Sequence, residues 1–171
     1  MALGVDYARQ DCSLARTLEI VGERWTMLIL RDCFFGVRRF TDLHQHLDVS
    51  RAVLTDRLAG LVEAGLLVRV PHGRRDEYEL TDKGLDLWPA LQALTHWGEV
   101  HEAPRGARRI FSHATCGADL DGAGGCPSCR LVPSPRDIEM RPGPGVTPAP
   151  RANAVSVALR SRRRMVQPLR G

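Results

Sequence analysis

Residues 38–70, RRFTDLHQHLDVSRAVLTDRLAGLVEAGLLVRV, restrict the fold more tightly than the rest of the chain. Leu43 and Leu47 lie four apart, DVS interrupts the pattern, and it resumes at Val53, Leu54, Leu58 and Leu61. Apolar residues at that spacing commit one face of a helix to a core. The stretch therefore predicts two short helices meeting near residues 48–50, with Thr41 as N-cap of the first and Gly65 as the stop of the second. LLVRV and EYELT then read as two strands joined by PHGRRD, a hairpin with a basic tip.

The flanks supply the remaining layers. Leu14, Leu18 and Val21 predict a first helix from Cys12 to Gly22. In ERWTMLILRDCFFG, Trp25, Leu28, Ile29 and Phe35 predict a second, mostly buried one that includes Cys33. Thr81 or Asp82 can cap a final helix whose stripe, Leu87, Leu91, Leu94 and Trp97, is longer than a small domain needs and calls for a partner helix. Three helices, a short turn, a fourth helix, a two-stranded hairpin and a last helix make a mainly α fold with a small β-hairpin wing: a winged helix-turn-helix.

Charge narrows the function. The chain carries a net +4, but residues 1–102 hold twelve basic against sixteen acidic residues, a net of −4, while residues 151–171 hold six arginines and no acid. A nucleic-acid reading therefore rests on where individual arginines fall, not on the bulk balance. A DNA major groove admits one helix, whose N-terminal turns reach base edges while its amides and dipole favour phosphate. Ser50, Arg51, Ala52 and Thr55 occupy those turns, followed by Asp56 and Arg57, with the leucines on the opposite face. Arg51 is the candidate base reader, since a guanidinium bonds guanine bidentately. Arg74 and Arg75 at the wing tip can reach the backbone or a minor groove, and Arg38 and Arg39 can clamp phosphates. Any one of these arginines also fits a merely solvated surface.

CSLARTLEIVGERWTMLILRDCFFGVRRFTDL, VSRAVLTDRLAGLVEAGLLVR, YELTDKG and LQALTHWGEVH together resemble the HxlR family of bacterial winged-helix regulators, across residues 12–101. The resemblance implies a homodimer, paired through its N-terminal and last helices, that places two recognition helices in successive major grooves of double-stranded DNA. It also implies a transcriptional regulator, commonly a repressor, answering to a small-molecule or oxidant effector. Some relatives sense electrophiles or oxidants through the cysteine that Cys12 matches. Arg9 and Arg16 would favour a thiolate there; Asp6 and Asp11 oppose it. Ala52 stands where many relatives carry lysine, and the wing is more compact, so operator sequence does not transfer.

His113-x2-Cys116 and Cys126-x2-Cys129 are two pairs with zinc-ligand spacing, each beside Gly or Pro. Four N/S ligands would close a structural zinc site; a redox pair of Cys126 and Cys129, or three unrelated thiols near a histidine, are the alternatives. No cofactor is expected to be required for DNA binding. The remaining histidines, including His44, His46 and His96, read as surface or packing residues. The expected organisation is an N-terminal arm (1–11), a DNA-binding and dimerisation domain (12–102), a linker (103–112), a zinc-binding extension (113–140) and a disordered Pro/Gly-rich, basic tail (141–171). No apolar window approaches membrane-spanning length, and MALGVDYARQDC has acids where a signal peptide needs an apolar run. A cytoplasmic location and no membrane partner are expected. Two rival functions remain: a thiol or zinc redox protein built on the tail, for which no catalytic constellation speaks, and a protein-interaction module that uses the wing without reading DNA.

Overall fold

Leucine spacing builds the centre of the molecule. In the computed structural model, which describes residue 7 and residues 9–73, 75–147 and 153–169, Leu54, Leu58 and Leu61 of helix α4 (Arg51–Glu63) are buried almost completely. They meet Ile29, Leu30, Cys33 and Phe34 of α2 (Thr26–Phe34) and Leu43 and Leu47 of α3 (Phe40–Leu47) in one core. Each such side chain, fully buried, contributes about 1.5–3 kcal/mol. Helix α1 (Ser13–Val21) adds Ala15 and Val21, while its Leu14, Leu18 and Ile20 stay exposed.

Ser50 opens α4 by accepting a hydrogen bond from the Val53 amide at 3.3 Å, a local satisfaction of one of the amides a helix start leaves unpaired. Asp48, at a left-handed φ of 54°, turns the chain between α3 and α4. Thr41, expected to cap α3, instead lies within its first turn, and Arg39 is the extended residue before the helix. The strand-like bridge between Arg39 and Glu77 explains the shift: pairing to the wing holds residue 39 extended and lets the helix start two residues earlier than the threonine implies.

The wing is an antiparallel hairpin of β1 (Leu67–His72) and β2 (Arg75–Leu80), in register from Leu67↔Leu80 to His72↔Arg75. Thr81 caps α5 (Asp82–Leu85) by accepting from the Gly84 amide at 3.1 Å. The single helix expected after Thr81 is two: α5 ends at Leu85, and α6 (Trp88–Glu102) restarts with Pro89 in its first turn, where a residue without an N–H costs nothing. The stripe on α6 divides: Leu91 enters the core, while Leu94, Trp97 and Val100 are exposed.

Beyond residue 102 the structure departs most from the expectation. The supposed linker contains β3 (Arg109–His113), whose Phe111 sits edge-on to Trp88 at 5.1 Å. β3 pairs with β4 (Ile138–Pro142), and β4 with β5 (Arg163–Arg164), giving a three-stranded antiparallel sheet in the order β3-β4-β5. The tail expected to be disordered is built into the core over residues 153–169. Asn153 caps α7 (Ala154–Ala158), and Val155, Leu159 and Met165 are buried with the α2 and α3 side chains. Arginine is frequent in this segment, yet these three apolar residues face inward; among its described arginines Arg160 and Arg162 are exposed, while Arg163 and Arg164 are half-buried. Residues 148–152 and 170–171 of that tail lie outside the described residues.

Leu159→Ala should therefore destabilise the whole protein by about 2–5 kcal/mol in equilibrium denaturation, as expected for a core deletion. Val157→Ala, on the exposed side of the same segment, should stay within about 0.5 kcal/mol of the parent.

Candidate functional site

The first turn of α4 is backed by leucines and open in front. Arg51, Ala52, Thr55 and Asp56 are exposed, as is the capping Ser50. Arg51 has no acidic partner among the described residues; its guanidinium lies 5.3 Å from the Phe40 ring centre, a cation–π contact that stiffens the side chain while leaving its N–H groups free. Arg57, by contrast, is turned toward Glu23 at 3.2 Å and Asp56 at 3.5 Å.

The flanking arginines separate in the same way. Arg38 bonds Glu79 and donates from Nη2 to the Val166 carbonyl at 3.0 Å, so it ties elements together. Arg39 pairs with Glu77 at 3.2 Å but keeps almost half of its side chain in solvent. Arg75 is exposed at the start of β2 with no acidic partner among the described residues; Arg74 lies outside them. Arg51, Arg39 and Arg75 thus remain the arginines best placed to meet an anionic surface, and Arg38 and Arg57 are committed to the protein.

A polar cluster around one buried carboxylate, which sequence reasoning missed, links α2 to α3. Asp32 is wholly buried in α2. Its Oδ1 accepts from Arg31 Nε at 2.9 Å and Nη2 at 2.7 Å, and its Oδ2 lies 2.6 Å from His46 Nδ1 of α3. The signal was an aspartate inside TMLILRDCFF, a run that otherwise reads as core. Cys33, next to it, is in the core as expected, its thiol pushed well up by burial and by the neighbouring Asp32 charge.

Cys12 is exposed at the N-terminal end of α1. Arg16, expected to favour its thiolate, is paired with Glu19 at 3.0 Å and bonds the Tyr7 carbonyl.

The second cluster forms where the sequence spacing places it. One nitrogen and three sulfurs from His113, Cys116, Cys126 and Cys129 lie within 4.8 Å of one another. Cys116 Sγ is 3.4 Å from Cys126 Sγ and 3.5 Å from His113 Nδ1. A disulfide needs about 2.05 Å, whereas the edge of a tetrahedron with metal–sulfur bonds of about 2.3 Å is roughly 3.7 Å. Burial opposes ionisation of Cys126, but the Cys129 amide and the side chains of Cys116, His113 and Cys129 outweigh it and draw the thiol down to about 7. Hydrogen bonding to Cys116, with burial, raises Cys129 to about 11. The group can hold a metal ion.

Between α2, α6 and the extension runs a groove of about 670 Å³ lined by Phe35, Leu91 and Phe111 together with Arg31, Arg109 and Glu99. Burial and the neighbouring Arg31 hold the Arg109 guanidinium below its usual range. Among the described residues no helix is long and apolar enough to cross a membrane.

Four packed helices, a two-stranded wing and the open N-terminus of α4 define a winged-helix protein of the transcription-factor type. The chain belongs to the HxlR-like helix-turn-helix family, whose model matches residues 20–105. An HTH-type transcriptional regulator of Mycobacterium tuberculosis strain H37Rv is 44% identical over 137 residues, covering 78% of this chain and 87% of the relative, a span that reaches past the family model into the extension. YdeP of Bacillus subtilis strain 168, also an HTH-type transcriptional regulator, is 29% identical over 107 residues, 58% of this chain and 84% of the relative. Among solved structures, PA1607, described as a transcription factor, superposes with a TM-score of 0.54 at 43% identity, over 56% of this chain and 70% of that one. The redox regulator HypR in its oxidised form superposes with a TM-score of 0.50 at 25% identity, over 53% of this chain and 98% of HypR.

Asp32→Ala leaves Arg31 and His46 without their shared acceptor and should cost about 1–3 kcal/mol of stability by chemical denaturation. Removing the exposed pair between Arg69 and Asp76 of the wing should cost less than about 1 kcal/mol.

Proposed function

We propose that the protein is a sequence-specific DNA-binding repressor that works as a homodimer, with residues 50–64 as recognition helix in the major groove and residues 72–76 of the wing on the backbone or minor groove. The observation that carries this reading is the exposed first turn of α4, with Arg51 unpaired by any acid among the described residues and held over Phe40. Arg51, Ala52 and Thr55 meet base edges; Ser50 caps the helix and presents its hydroxyl and the helix amides to phosphate; Arg39, Arg74 and Arg75 contact phosphate or minor groove. Arg38 and Arg57 act as positioning residues, because their guanidinium groups are held by Glu79 and Glu23.

Dimer formation is supported by the apolar side chains that α1 and α6 leave in solvent: Leu14, Leu18, Leu94, Trp97 and Val100. An isolated chain gains by covering them, and a second copy supplies a matching face. The His/Cys group is read as a structural zinc site, four protein ligands leaving no open position for hydrolytic chemistry. Regulation, not catalysis, is the role assigned to the chain, in cytoplasm.

A second reading concerns the signal. HypR is a redox regulator by name, and Cys12 is an exposed thiol at a helix N-terminus, so oxidation of Cys12 is the candidate input. A small-molecule effector would find the groove beside Arg109 and Phe35.

Binding of the purified protein to duplexes from its own promoter region tests the central reading. Arg51→Ala should weaken the specific complex roughly 5–150-fold and leave non-specific binding nearly unchanged, whereas Arg75→Ala should weaken both alike and lower the salt dependence by about one phosphate contact. Trp97→Asp should convert the dimer to monomer by light scattering. Equal affinity of the parent for promoter and random duplex at moderate salt contradicts the reading.

A further inference from the structure

Resting on the zinc reading of the cluster, we propose that the metal fastens a C-terminal clamp onto the helix-turn-helix, so that DNA affinity depends on Zn2+ held by His113, Cys116, Cys126 and Cys129. The sequence alone gives the opposite expectation, that DNA binding needs no cofactor.

The segment that carries the ligands has no core of its own. Between residues 114 and 131 the one buried apolar residue is Cys126, and Leu131 is exposed. The turns are held by the Asp121 carboxylate, which accepts from the Ala123 and Gly125 amides at 2.9 and 2.8 Å, and by Cys126 Sγ, which accepts from the Cys129 amide at 3.4 Å. Local polar contacts of this kind do not offset the entropy of ordering such a loop; four ligands on one ion do.

The order imposed at the cluster is transmitted through the sheet. His113 ends β3 opposite Ile138 of β4, and the Ala114 amide donates to the Asp137 carbonyl at 2.8 Å. β4 pairs with β5 at Glu139↔Arg164, and the Met165 amide donates to the Ile138 carbonyl at 2.8 Å. The next residues grip the turn that launches α3. The Val166 amide donates to the Phe34 carbonyl at 2.7 Å, the Leu169 amide to the Gly36 carbonyl at 2.9 Å, and Arg38 Nη2 to the Val166 carbonyl at 3.0 Å. At the other end of α3, Asn153 Nδ2 donates to the Gln45 carbonyl at 3.2 Å.

Two backbone features mark this grip as a built contact. Gly36 has φ +87°, and a Cβ there would stand 1.9 Å from the Gln167 carbonyl oxygen, so the close approach demands glycine. Val166 is a β-branched residue at φ +63°, a conformation that persists only where both its amide and its carbonyl are held from outside, as they are here by Phe34 and Arg38. A continuous path therefore joins the metal ligands to the entry of the helix-turn-helix. Losing the metal frees one end of the sheet and loosens α3, which shares the core with α4.

The test uses the full chain with zinc bound, stripped by chelator and restored, and the same protein loaded with Co2+. Metal content and the cobalt absorption spectrum read the site; promoter-duplex affinity and amide hydrogen exchange across residues 34–47 read the clamp. Expected are one metal per protomer with a tetrahedral thiolate spectrum, a roughly 5–150-fold loss of affinity on stripping, faster exchange over residues 34–47, and recovery of both with Zn2+. Leu169→Pro, which removes the amide donated to Gly36 but none of the ligands, should keep its metal and still weaken DNA binding and speed exchange in the same segment. It decides the matter if stripping unfolds the whole chain. Failure to bind either ion overturns the zinc reading and the clamp together. A normal cobalt spectrum with affinity and exchange unchanged in stripped protein, or in metal-loaded Leu169→Pro, overturns the clamp alone. The exchange readout decides the clamp even for a chain that ignores the promoter.

Discussion

The burial of Leu54, Leu58 and Leu61 against α2 and α3 is the constraint on which the rest of the molecule depends. A helix with three leucines locked in a core cannot rotate, so the residues on its other side point outward by geometry. Ser50 fixes where the helix begins, and Arg51 follows at once. The same burial gives the N-terminal turn of α4 a rigid backing, which a side chain needs if it is to distinguish base edges by hydrogen-bond geometry. Asp32 adds a polar tie from α2 to α3 through His46, where the core joins them by apolar area.

Around this motif the protein has added a second layer that most of its basic composition conceals. The extension contributes Phe111, Ile138, Met140, Val155, Leu159 and Met165 to the same core as the winged helix. It is therefore packed as part of the same unit, and the sheet that begins at His113 leads through β4 and β5 to the hydrogen bonds at Phe34 and Gly36, before α3. The similarity to the relative in Mycobacterium tuberculosis extends past the end of the family model, into this part of the chain.

Local signals were legible in the sequence and long-range ones were not. The leucine register of α3 and α4, the wing strands and the two His/Cys pairs each declare themselves within a few residues, and the structure forms the helices and strands and brings the two pairs together. Thr41 misled because the pairing of Arg39 with Glu77, almost forty residues away, decides where α3 starts. The last helix read as continuous because Pro89 is tolerated in a first turn and gives no warning that a new helix begins there. The tail read as disordered because Val155, Leu159 and Met165 are sparse among arginines, and the surface that receives them is made by residues more than a hundred positions earlier. Among the arginines, sequence could name candidates but not sort them. Arg38 and Arg51 look alike in a string; one is bonded to Glu79 and the Val166 carbonyl, and the other lies free over an aromatic ring.

Hydroxyl-radical footprinting of the protein on its own promoter region tests the central claim most directly. Two protected windows with centres about 10–11 base pairs apart, lost together when Arg51 is replaced by alanine, are the predicted result. Uniform weak protection along the duplex, or a single window that survives loss of Arg51, would contradict the assignment of α4 as the element that reads DNA.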